Sequence, residues 1–95
     1  MAGTIEVRLY GLLRRRVKSP AVDIAGDGLS ILAALRLAEE AAGGAFLDEL
    51  LDEASGLLTG TIVLVNGENV RLRQGLETTV RAGDRIDLFS PAGGG

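Results

Sequence analysis

The chain has 95 residues, 46% of them hydrophobic, and a formal net charge of −3. That length supports one hydrophobic core and leaves no room for a second domain. It contains no cysteine and no histidine, which excludes disulfides, thiolate ligands and cysteine persulfide chemistry on this chain and removes the commonest general base and metal ligand. With no tryptophan either, so short a chain is a poor candidate for a self-contained catalyst. The acidic balance gives no support to phosphate-backbone binding. No run of 18 apolar residues occurs, and the first residues alternate charged with apolar instead of building a signal-peptide core, so a cytoplasmic protein away from membranes is expected.

Residues 4–10 alternate, with Ile5, Val7 and Leu9 on one face and Glu6, Arg8 and Tyr10 on the other, which predicts a half-buried strand. A connection carrying Arg14, Arg15, Arg16 and Lys18 follows. Residues 21–25 then resume the alternation as a second strand, antiparallel to the first and kept toward an edge by Pro20. The basic cluster reads as a solvated loop, because a nucleic-acid footprint would come with a basic domain and stacking aromatics. The aromatics here are only Tyr10, Phe46 and Phe89.

Asp27-Gly28 makes a turn. Ser30 is a good N-cap for a helix that places Ile31, Leu35, Ala38 and Ala42 on one face with Leu32 alongside, and Gly43-Gly44 ends it. Phe46, Leu47, Leu50, Leu51 and Ala54, interleaved with Asp48, Glu49, Asp52 and Glu53, predict a second, short acidic helix. Its four carboxylates read as a solvated face, since no convergent metal-ligand set accompanies them.

Residues 61–65 form a largely β-branched run that predicts a central strand buried on both faces. Asn66-Gly67 is a strong hairpin signal, since both positions tolerate positive φ, and residues 69–71 are the expected return strand. Residues 74–81 read as irregular, with Leu76 and Val80 as core contacts. Gly83-Asp84 turns the chain into a last strand, residues 85–89, with Ile86 and Leu88 on one face and Arg85, Asp87 and Phe89 on the other. Two hairpins around one helix define an α+β domain over residues 1–90, a β-grasp with a mixed sheet of four to five strands covered on one face by the main helix.

Residues 91–95 follow as a flexible glycine tail. Pro91 stiffens its start by fixing φ, and the side-chain-free glycines beyond offer one chemical group, the carboxylate of Gly95. Such a backbone can thread a narrow channel into a partner's active site; the same composition also fits a plain chain end or linker.

With these elements in place, the sequence resembles the ubiquitin-like sulfur carriers of the MoaD/ThiS family, which includes the small subunit of molybdopterin synthase and the thiamine-pathway carrier. The likeness covers essentially the whole chain. Its most specific parts are Val63-Leu64-Val65-Asn66-Gly67 followed by Val70-Arg71, then Gly83-Asp84-Arg85-Ile86 entering Leu88-Phe89, and finally Pro91 before Gly94-Gly95. Ser90 stands where many members have a first proline, and Gly93 where alanine or serine is common. Since nothing follows Gly95 here, no proteolytic maturation is expected if this is the natural end.

The resemblance implies a cosubstrate with no active site of its own. An adenylating enzyme of the ubiquitin-activating type would use ATP and magnesium to activate the Gly95 carboxylate, and a sulfur donor such as a cysteine desulfurase or rhodanese would help convert it to a thiocarboxylate. No cofactor is expected on the chain itself. Gly94, Gly93, Pro91 and Phe89 would carry the partner contacts, Phe89 as an exposed anchor, and the large subunit of molybdopterin synthase is the expected acceptor. Alternatives are a carrier for thiamine, cysteine or another metabolite, a ubiquitin-like modifier joined to lysines through Gly95, and a noncatalytic β-grasp binding module. The absence of cysteine excludes the ferredoxin branch of the fold.

Overall fold

The computed structural model describes residues 3–54 and 56–91. In chain order they form β1 (Thr4–Leu9), β2 (Ala21–Ala25), β3 (Leu29–Ser30), the helix α1 (Ile31–Ala42), β4 (Ile62–Val65), β5 (Glu68–Asn69), β6 (Thr79–Val80) and β7 (Arg85–Phe89). Five of the strands make one sheet in the order β2-β1-β7-β4-β5. Within it β1 and β7 run parallel, and the other neighbours run antiparallel. The last strand therefore fills the middle of the sheet, between the two hairpins, and α1 covers one face. This is the mixed β-grasp sheet that the element order predicts, with Pro20 and β2 at an edge.

Strand alternation sends Ile5, Val7, Val63, Ile86 and Leu88 to the helix-covered face, where each is fully buried. The helix answers with Ile31, Leu35, Ala38 and Ala42, the expected face, and with Ala34 between them. The Ser30 hydroxyl accepts a bond from the Ala33 amide at 3.1 Å, satisfying one of the helix's orphan donors. At the other end Gly43 adopts the left-handed conformation at φ 78° and returns its amide to the Glu39 carbonyl. Gly44 is required for a different reason, since a Cβ there would lie 1.9 Å from the Arg16 carbonyl oxygen. That approach lets the Lys18 and Ser19 amides donate to the Ala42 carbonyl at 2.9 and 3.1 Å. The end of α1 is thus tied to the connection leaving β1.

Four local expectations are corrected. Residues 46–54 do not form a helix; a single 3-10 turn, Leu47–Glu49, is all that appears. The Leu50 carbonyl, which would accept from the Ala54 amide in a helix, instead takes the Leu58 amide at 2.8 Å and the Thr61 hydroxyl at 3.1 Å. The Ala54 amide donates to the Asp52 carboxylate at 2.9 Å, and the Glu39 carboxylate accepts from the Phe46 and Leu47 amides. Side chains thus outcompete the helical ladder, while Phe46 and Leu50 still reach the core.

The run at residues 61–65 is not doubly buried. Ile62 is 40% exposed because, among the described residues, no helix covers the second face of the sheet, and the central strand is β7. The return strand is shorter than expected and displaced, Glu68–Asn69, because the Asn69 side chain accepts from the Arg71 amide and starts a 3-10 turn over Val70–Leu72. The segment read as irregular contributes β6, which pairs with β3 as a separate two-stranded ribbon; Val80 is buried and Leu76 packs against the core, as expected. The Asn66-Gly67 turn has positive φ at both residues, 50° and 86°.

Candidate functional site

The site assembles where β7 ends. The Tyr10 amide donates to the Leu88 carbonyl at 3.0 Å, so β1 stays paired with β7 up to the last residues of the sheet. On the other side Ile62 of β4 is in register with Phe89. Gly11, at φ 60°, then turns the chain away from the sheet into a 3-10 turn, Gly11–Arg16. Tyr10 consequently remains on the open face beside Phe89.

Phe89 is partly exposed on that face, as its alternation predicts. Its ring stacks on Tyr10, with centroids 4.6 Å apart and planes 11° from parallel. Ile62 extends the apolar surface across β4. Two residues beyond Phe89, Pro91 lies against Gly60: a methyl group on Gly60 would come within 3.3 Å of the Pro91 Cβ. Gly60 itself sits at φ 90°, a conformation that side-chain-bearing residues avoid. The start of the tail is thus seated on a glycine of the loop before β4. Gly93, Gly94 and Gly95 lie outside the described residues.

Charge surrounds the aromatic pair. Arg8, in register with Asp87, pairs with Glu6 at 2.6 Å. Its guanidinium pKa is held above the ordinary arginine value, first by that hydrogen bond and then by the Glu6 charge. A cleft of about 200 Å³ lined by Arg8, Leu9, Tyr10, Arg14, Pro20 and Ala21 opens beside the stack.

The remainder of the basic cluster divides. Arg14 and Arg15 are exposed, whereas Arg16 reaches Asp48 at 2.9 Å and Glu49 at 2.6 Å. Two of the four carboxylates in the acidic segment therefore serve this arginine, whose own pKa is raised foremost by the bond to Asp48. Among the described residues no group of three or more His, Cys, Asp or Glu could hold a metal ion. No described helix is long and apolar enough to cross a membrane.

Alternation alone identifies Phe89 as outward-facing, and it identifies Tyr10 as the outward residue at the end of β1. That the two meet depends on the parallel pairing of β1 with β7 across nearly the whole chain. Gly60 and Ile62 escape sequence reasoning for the same reason, since neither lies near the tail in sequence.

A mixed five-stranded sheet with one main covering helix and the last strand in its middle defines a ubiquitin-like β-grasp protein. More particularly, the chain belongs to the ThiS family, whose profile matches residues 7–95. It is 38% identical over 52 residues to a protein of Archaeoglobus fulgidus provisionally named a sulfur carrier; the match spans 55% of this chain and 59% of that relative.

Solved structures agree on the fold. SAMP1 of Haloferax volcanii superposes with a TM-score of 0.78 at 28% identity, covering 98% of this chain and all of its own. A chain of the BexX/CysO complex of Amycolatopsis orientalis gives 0.77 at 26% identity, covering 96% of this chain and 99% of that one. Urm1 of Trypanosoma brucei gives 0.77 at 21% identity, covering 99% and 97% respectively, a likeness of fold alone.

Proposed function

We propose that this chain is a sulfur carrier whose Gly95 carboxylate is adenylated and converted to a thiocarboxylate, and that it serves as the small component of a molybdopterin synthase. The observation that carries the carrier role is the family match, which runs through the glycines to residue 95 and so includes the tail in the family's pattern. The free carboxylate is a poor electrophile because its leaving group would be an oxide. Its attack on the α-phosphate of ATP, in the partner's magnesium-bound site, releases pyrophosphate and forms a mixed anhydride. A sulfur nucleophile at the oxidation level of hydrosulfide then displaces AMP. The carrier needs no cysteine for this, which accords with a chain that has none.

The Tyr10–Phe89 pair beside the seated Pro91 supports docking at the tail's root, where a partner can cover apolar surface while the glycines enter its channel.

Reconstitution tests the reading. The chain should support ATP–pyrophosphate exchange with the adenylating enzyme of its own genome. After a sulfur donor is supplied, its intact mass should rise by the exchange of one oxygen for one sulfur. Removing Gly94 and Gly95 should abolish both without changing the circular dichroism spectrum; exchange that survives the deletion refutes the carrier role. Transfer to a molybdopterin synthase large subunit, set against a thiazole synthase, decides the pathway. A second reading, a protein modifier attached through Gly95, draws on the likeness to SAMP1, named as a small archaeal modifier protein. Isopeptide-linked lysines found by mass spectrometry would favour it.

A further inference from the structure

The open face of the sheet holds one residue in an unexpected state. Asp87 points away from the helix, on the side where Arg85 and Phe89 neighbour it along β7, yet it is only 4% exposed. Aspartate is depleted in strands, and taking a carboxylate out of water is costly unless its oxygens are bonded. Both oxygens are. Oδ1 accepts the Tyr10 hydroxyl at 2.9 Å, and Oδ2 accepts Arg85 Nε at 3.1 Å.

We propose that Asp87 is a positioning residue for the docking surface: through the Tyr10 hydroxyl it holds the tyrosine ring against Phe89, so that the aromatic pair at the root of the tail is already assembled before a partner arrives. The contacts run in one line along the sheet, from Arg85 to Asp87, to the Tyr10 hydroxyl, and through the Tyr10 ring to Phe89, two residues short of Pro91. A tyrosine fixed at its hydroxyl cannot swing off the face, and its ring limits the rotamers open to a phenylalanine at a strand end. A local rule is broken here, a strand-poor carboxylate buried on the water side, and such breaks concentrate where function requires them. A pre-assembled pair spares the complex the ordering of two aromatic side chains.

The inference rests on the proposed docking of the tail into an adenylating enzyme, and its test is built to separate the two. Full-length Asp87→Ala, Asp87→Asn and Tyr10→Phe are compared with the parent well below their melting temperatures. Tyr10→Phe keeps the ring and loses the tether, so it remains informative if Asp87→Ala folds poorly. In the free protein, proton NMR should show the mutual ring-current shifts of residues 10 and 89 lost in Asp87→Ala and Tyr10→Phe. They should be kept in Asp87→Asn, which retains an acceptor oxygen.

In pyrophosphate exchange, the KM for the carrier should rise about tenfold in Asp87→Ala and Tyr10→Phe, with kcat within about twofold, and should stay near the parent value in Asp87→Asn, as expected for lost pre-organisation of one or two side chains. Rings that stay stacked without the tether, or a KM unchanged once they have separated, would overturn the proposal. A parent chain that is not adenylated at all sinks the carrier reading and with it the docking role, while the ring shifts still decide whether Asp87 holds the pair.

Discussion

Truncating Phe89 to alanine separates a docking anchor from a core brace, because the two roles predict opposite balances of stability and affinity. A fully buried phenylalanine loses roughly 3–5 kcal/mol on truncation. Phe89 is only partly buried. What the substitution removes is the stack on Tyr10, worth about 0.5–1.5 kcal/mol, and the covered part of the ring opposite Ile62. The expected loss of stability is about 1–2 kcal/mol, a fall in Tm of roughly 4–15 °C for a domain of this size. Binding should suffer more: an aromatic anchor at the centre of an interface contributes about 2 kcal/mol or more, roughly a 30-fold rise in Kd. Chemical denaturation of the free variant and calorimetric titration with the adenylating enzyme give both numbers. A stability loss in the fully buried range combined with an unchanged Kd would show that the ring braces the fold and that the partner docks elsewhere.

Three further substitutions probe the tail, its seat and the helix. Gly94→Ala should slow activation while leaving Tm unchanged, because a methyl group narrows the backbone's choices in a close-fitting channel; single-turnover kinetics equal to the parent would argue against threading. Gly60→Ala, at φ 90° and facing Pro91, should cost about 1–2 kcal/mol from the strained backbone and should shift the Pro91 resonances. A Pro91 spectrum identical to the parent would show that the glycine does not seat the tail. Ser30→Ala removes the helix cap and should lower stability by about 1 kcal/mol, with the exchange rate at 25 °C unaltered; a change in that rate would mean that the helix end communicates with the tail.

In the strands flanking the site, the helix cap and the hairpin turn, the local pattern determined the outcome by itself. Alternation in residues 4–10 and 85–89 assigned Ile5, Val7, Ile86 and Leu88 to the core and left Phe89 outside it, because neighbouring strand residues must point to opposite faces. Ser30, Gly43 and Asn66-Gly67 marked a cap, a helix end and a hairpin through side-chain and backbone chemistry that needs no distant partner. The acidic segment after the helix shows where this reasoning stops: residues 46–54 carry helical spacing, but Asp52, Glu39 and Thr61 compete for the backbone groups that a helix would use.

Only the tertiary structure decided the site's environment. The parallel pairing of β1 with β7 brings Tyr10 to Phe89 and Asp87, and the loop before β4 brings Gly60 under Pro91. Those contacts join residues far apart in the chain, and their geometry follows from sheet order and register, which are properties of the assembled sheet and of no single stretch within it.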